Sequence, residues 1–194
     1  TRENYERFIQ LFKREQSKYK ILTLETDERY YNNFIKVVDS TTRIVDNRNT
    51  KTYDSGIFID IFPIDSFNDT KVIDVCYKLE SFKLLSFSKH KNIVYGDSKL
   101  KDLIRSFFWF MLRPISPRYF ANQIEKQIQK YSVKDGKYIA FIPSKFKEKE
   151  VFDKEIFEDL IEVPFEHLTL PAPKQYDAIL KQYYGDYMTL PPKE

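Results

Sequence analysis

The chain has 194 residues, 42% of them hydrophobic and 16% aromatic, enough apolar matter for one ordinary domain with a sizeable core. Its 32 Lys and Arg against 29 Asp and Glu leave a net charge of +3, too small a surplus for a general nucleic-acid binder. A single cysteine, Cys76, excludes an internal disulfide and a cysteine-based metal centre, two histidines argue against a histidine-rich one, and four glycines rule out a glycine-rich phosphate loop.

Residues 3 to about 19 carry Tyr5, Phe8, Ile9, Leu11 and Phe12 at helical spacing and predict an amphipathic helix. That helix starts at once, with no N-cap run before it, so the chain is expected to begin in mid-fold. Strands are predicted near 20–25, 34–45 and 56–62, the second (FIKVVDSTTRIV) being rich in β-branched residues. The polar DNRNTKTYDS between the last two reads as a loop.

After Pro63 the texture turns helical. Periods over 70–90, 99–112 and 117–131 are broken at Arg113-Pro114 and Ser116-Pro117. Cys76 sits at core spacing in the first of them, and His90 in SKHKN falls at its end as a solvated or capping residue. Short strands are predicted at 137–142, 160–163 and 166–170, with His167 half-buried in the last. The lysine-rich KFKEKEVFDKE reads as a mixed-charge surface. A final helix over about 174–184 stops at Gly185, and Pro191 and Pro192 prevent another. The pattern is α+β: a small sheet in 1–68, a helical middle in 69–135, and short strands plus a helix in 136–194.

Three stretches could carry chemistry. In SGIFIDIFPID, Asp60 interrupts an apolar strand expected to fill a buried surface, with Phe58 and Phe62 on its own face. A carboxylate there needs a cation from the chain, backbone N–H groups or a metal ion. Asp65, expected on the loop leaving the strand, is a ligand, a capping residue or a turn residue. In KQYYGDYMTLPP, Tyr184, Asp186 and Tyr187 either line a pocket or simply end a helix. In DLIRSFFWFMLRPISPRYF, residues 102–120, the apolar run 107–112 reads as core, with an interfacial helix as the other reading. No apolar run approaches the roughly 18 residues of a membrane span and none reads as a signal peptide; the single cysteine fits a cytosolic location.

GIFIDIFPID (56–65) and LPAPKQYDAILKQYYGDYMTLPP (170–192) resemble, in order and spacing, the LicD family of bacterial phosphocholine transferases, relatives of fukutin and fukutin-related protein. The opening TRENYERFIQLF resembles the helix after that family's acidic motif, so the resemblance spans the chain and is loosest in the helical middle. It implies one nucleotidyltransferase-like domain of the polymerase-β type. The implied reaction moves phosphocholine, or a related phospho-alcohol, from CDP-choline to a sugar hydroxyl of teichoic acid, capsule or lipid-linked glycan. The donor would be a CDP-alcohol, the acceptor a glycan, and the place the cytoplasm, with peripheral membrane contact through 102–120 at the inner face.

The resemblance further implies Mg²⁺ or Mn²⁺ held by Asp60 and Asp65, with Asp60 also catalytic. From residue type and position, and not from the resemblance, Arg2, Tyr5 and Lys89 are candidates to meet phosphate or nucleotide. The YYGDYM composition makes Tyr184, Gly185, Asp186 and Tyr187 candidates for the choline-like head group. The family's closely spaced aspartates lie just before the position matching Thr1, and no such run occurs in the 194 residues. An N-terminally incomplete domain is therefore expected, inactive as it stands; the other reading is a non-catalytic nucleotide- or glycan-binding member.

Overall fold

Two antiparallel three-stranded sheets and a hairpin share the chain with five helices, in a computed structural model that describes residues 1–12, 17–144 and 146–189. Helix α1 (Arg2–Phe12) is shorter than its periodicity predicts, because Tyr19 already belongs to strand β1 (Tyr19–Leu22). Aromatic and branched side chains there pair with β2 (Ile35–Asp39), and that pairing outweighs the helical period. Residues 13–16 of the expected helix lie outside the described residues. Strand β2 is central, and β3 (Phe58–Ile61) forms the far edge, with Lys36 opposite Asp60 and Val37 opposite Ile59.

The GIFIDIFPID strand therefore does not fill a buried surface. Ile57 is 67% and Ile59 70% exposed, because an edge strand has a neighbour on one side only and the helices gather elsewhere. They gather on the second sheet, β4 (Asp65–Phe67), β5 (Tyr138–Ala140) and β6 (Val151–Asp153), paired in that order. Asp65 is thus the first residue of a buried strand and not of a loop.

Helices α2 (Lys71–Phe87) and α4 (Pro117–Tyr131) pack across this sheet. Phe67, Val72, Ile73, Cys76, Ile124, Ile128, Ala140 and Ile142 make the core. On α4 the buried positions Phe120, Ala121, Ile124 and Ile128 recur every three or four residues, the spacing of one helical face. Cys76 is the core residue its spacing predicts, its thiol pushed up to about 12 by burial. Gly136 lies against the backbone of Phe67, where a Cβ would come within 2.5 Å of the amide nitrogen, so only glycine lets β4 and the chain entering β5 approach.

Helix α3 (Lys99–Leu112) lies between them in sequence yet contributes no buried residue, which overturns the core reading of the apolar run 107–112, while Phe120 beyond it on α4 is core. Only one side of it touches α2, through Phe108 stacked on Phe82 and Trp109 donating to the Ser88 carbonyl at 2.9 Å. The apolar run encircles the helix, so one docking face cannot cover it.

The last strands, β7 (Leu160–Phe165) and β8 (Leu168–Pro173), form a hairpin whose turn is Glu166 and His167. His167 is consequently an exposed turn residue and not a half-buried strand one. His90 is exposed in a short turn beyond α2, its Nε2 2.9 Å from the Ser106 hydroxyl. Helix α5 (Tyr176–Tyr184) ends at Gly185, whose φ of 70° suits glycine. Pro191 and Pro192 lie outside the described residues, as does Lys145 of the mixed-charge run.

Candidate active site

The partner of Asp60 is a lysine. Lys36 stands opposite it in register on β2, and its Nζ donates to Asp60 Oδ1 at 2.6 Å. Lys36 is only 5% exposed. Its ammonium lies over the Phe58 ring at 3.1 Å from the centroid, with Phe34 at 5.5 Å, so one ring from Asp60's strand and one from the residue before β2 wall in the cation as well. Burial holds the Lys36 amine below its ordinary range, against the pull of Asp60.

Lys36 and Phe58 line a cavity of about 490 Å³ closed by Tyr31, Tyr53 and the 44–49 loop. Ile44 bridges to Ser55 and closes that loop on itself. Asn32 donates to the Tyr53 hydroxyl at 2.9 Å, and burial pushes the Tyr53 phenol up to about 12. A second cavity of about 590 Å³ shares Asp46, Thr52 and Tyr53 and extends over Leu22 and Val38 on the same sheet face. Lys89 donates to the Asn47 carbonyl, which places it at the rim loop of the first cavity.

A second carboxylate, this one fully buried, is held by a second cation. Arg2 grips Asp65 bidentately, Nε to Oδ1 at 2.8 Å and Nη2 to Oδ2 at 2.5 Å, while its Nη1 lies 3.6 Å from Glu125 Oε2. Asn33 donates to Glu125 Oε1 at 2.9 Å. Burial raises the Glu125 carboxyl above its ordinary range, opposed by Arg2. Burial also works against the Arg2 charge, but the carboxylates outweigh it and the guanidinium is held above its ordinary range. Arg2, Tyr5, Asn32, Asn33, Arg118 and Glu125 line a cavity of about 400 Å³. Asn32 belongs to the walls of both this cavity and the Lys36 one, so the two pairs flank a single segment, residues 32–36.

The structure thus brings together Arg2, Tyr5 and Asp65, and separately Asp60 with the loop held by Lys89. The C-terminal motif is placed apart from both in its contacts. Tyr184 packs on Tyr183, Asp186 accepts from Thr189, and Tyr187 donates to Asp177 at 2.9 Å. Gln182 ties α5 to the Val151 carbonyl at 2.8 Å, on the second sheet.

These carboxylates do not fit Mg²⁺ or Mn²⁺ by themselves. Asp60 and Asp65 stand on different sheets, each neutralised by a cation of the chain, and among the described residues no three His, Cys, Asp or Glu side chains gather as a metal cage. Lys36, Asn33, Tyr53, Arg118 and Glu125 were not legible as site residues. Lys36 alone left a signal: pairing the strands around 34–45 and 56–62 across their polar loop can set it opposite Asp60.

Compared with known proteins, the chain is 29% identical over 203 residues to the lipopolysaccharide cholinephosphotransferase LicD of Haemophilus influenzae, a match that covers all of this chain and 73% of that protein. No protein-family model and no solved structure matches it. A likeness running the whole length of the chain, through the Asp60 strand and on past α5, supports membership of the LicD family.

Proposed function

We propose that the protein is a phospho-alcohol transferase, one LicD-type domain with a nucleotidyltransferase-like fold, that moves phosphocholine from CDP-choline to a sugar hydroxyl of a cell-surface glycan. The relative's name supports a cholinephosphotransferase acting on lipopolysaccharide. Teichoic acid and capsule offer the same kind of hydroxyl, and the cytoplasmic side is where we place the reaction.

The observation that carries the reading is the Lys36/Asp60 ion pair, whose buried lysine lines a cavity of about 490 Å³ while Asp60 stays half-buried beside it. A buried cation beside a free volume is a ready partner for a diphosphate, since charge attraction is stronger where the surroundings are less polar than bulk water. A donor phosphate drawing on Lys36 loosens its hold on Asp60, which is then available to accept the proton of the attacking hydroxyl. The hydroxyl oxygen bonds to the phosphorus that carries choline, the bond from that phosphorus to the CMP oxygen breaks, and CMP departs. Arg2, gripping Asp65 with Tyr5 beneath it at 5.6 Å, offers a second phosphate contact in the neighbouring cavity. The exposed Tyr184 ring and the half-buried Tyr187 ring are offered to the choline head group.

The carboxylates present do not fit Mg²⁺ or Mn²⁺ by themselves, so the transfer is tested with and without either ion. One observation favours a second reading, a binder without turnover: both acidic candidates are already engaged by the chain's own cations. The test is CMP release from CDP-choline in the presence of a lipopolysaccharide oligosaccharide, with and without Mg²⁺. The transferase reading expects release that falls about a hundredfold or more in Asp60→Asn, the usual range for losing a general base. Calorimetric binding of CDP-choline with no CMP release under any metal condition gives the binder instead.

A further inference from the structure

We propose that α3 is a membrane-seating helix that lies in the headgroup layer of an anionic lipid bilayer. Its Leu100, Leu103, Ile104, Phe107 and Met111 follow the i, i+3, i+4 spacing of one helical face, and all are exposed, Leu103 by 67% and Phe107 by 60%. Phe110 widens the face and is 72% exposed. Together these side chains present apolar surface on the order of several hundred Å², the size at which a patch marks an interaction site. The other side of the helix is fixed to the protein: Trp109 bonds the Ser88 carbonyl, and His90 meets both Ser106 and the Trp109 ring. The apolar face is therefore held outward by a docked face, and not by fraying.

Charge selects the occupant. Residues 89–113 contain six Lys or Arg (Lys89, Lys91, Lys99, Lys101, Arg105, Arg113) and two acids (Asp97, Asp102), a surplus of +4 in a chain whose total is +3. Everything outside this stretch sums to −1. Asp102 and Asp97 are both turned to Arg105, and among the described residues no carboxylate pairs with Lys91, Lys99, Lys101 or Arg113. Two copies meeting through α3 would oppose two basic surfaces. Anionic headgroups complement that charge, and acyl chains accept the phenylalanines between the basic flanks. The helix, 14 residues and so about 21 Å long, is too short to cross a bilayer and suited to lying along one. No helix among the described residues is long and apolar enough to span.

The experiment is co-sedimentation with vesicles of phosphatidylglycerol and phosphatidylcholine, set against pure phosphatidylcholine. Pelleting is expected on the anionic vesicles, weakened by salt as surface attraction is screened. Phe107→Glu/Phe110→Glu is expected to lose it at least tenfold, and Lys99→Glu/Lys101→Glu several-fold. Circular dichroism and the emission of Trp109, the single tryptophan, report whether α3 stays docked in each variant. No pelleting of the wild type, or pelleting unchanged by the phenylalanine variant, overturns the proposal. So does unfolding of that variant together with the milder Leu103→Ser, which would make α3 a core helix. A wild-type dimer by ultracentrifugation that the phenylalanine substitutions dissociate would give the face to a second copy instead.

Discussion

Helices α3 and α4 are near neighbours in sequence and nearly equal in length, 14 and 15 residues, yet they use their apolar side chains in opposite ways. Helix α4 is mostly polar and buries five positions on one narrow stripe against α2. Helix α3 is by far the more apolar and buries none. Burial follows from having a partner along a stripe, not from the amount of hydrophobic surface a segment carries. The first sheet repeats the lesson, with Ile57 and Ile59 exposed on the edge strand while Lys36 is buried at the centre.

The largest effect is expected where α4 meets its buried charges. Arg2→Met leaves Asp65, only 2% exposed, and Glu125 on α4 without their cation. Removing one partner of a buried pair costs about 3–5 kcal/mol, which urea unfolding would register as a lowered midpoint. Ile124→Ala opens a hole in the α2/α4 core and is expected to cost about 2–5 kcal/mol. Should either variant unfold at the wild-type midpoint, α4 would not be the anchoring helix that its burial makes it.

The third expected effect concerns the first sheet and has a sign fixed by burial. Desolvation holds the folded-state pKa of Lys36 below its ordinary 10.5. Between those values the unfolded chain binds the more protons, so this residue makes stability rise as pH climbs toward 10.5. Deeply buried Tyr30 and Tyr31, whose phenols burial raises, act the other way at still higher pH. The slope is therefore read as wild type minus Lys36→Met between pH 8 and 10.5, by urea midpoints. A flat difference would mean that the lysine is solvated and the cavity wet.

The helices were legible because they are punctuated. Ser98 and Ser116 precede α3 and α4, Pro117 opens the latter, and the predicted spans 99–112 and 117–131 coincide with the observed ones. Burial was not legible, because it depends on which strand sits at an edge and which helix finds a partner. The Lys36/Asp60 contact crosses 24 residues and the Arg2/Asp65 contact 63, and neither leaves a local pattern. A carboxylate in an apolar strand announces that it needs a cation; it does not say whether the cation is an ion or a lysine on the next strand.

The smallest expected effect is the sharpest probe of the comparison. Phe107→Ser removes a large aromatic ring from α3, and a ring that size taken from a core costs about 3–5 kcal/mol. Phe107 touches the neighbouring Phe108 ring at 5.7 Å between centroids and otherwise faces outward. Its removal should shift stability by no more than about 0.5 kcal/mol, the range of ordinary surface substitutions. Helix propensity does not blur the result, since serine and phenylalanine rank close together. Wild type and variant compared by urea unfolding should therefore nearly superimpose, while Ile124→Ala unfolds well ahead of both. A loss of core size at Phe107 would mean that α3 buries its face in solution, and the contrast with α4 would collapse.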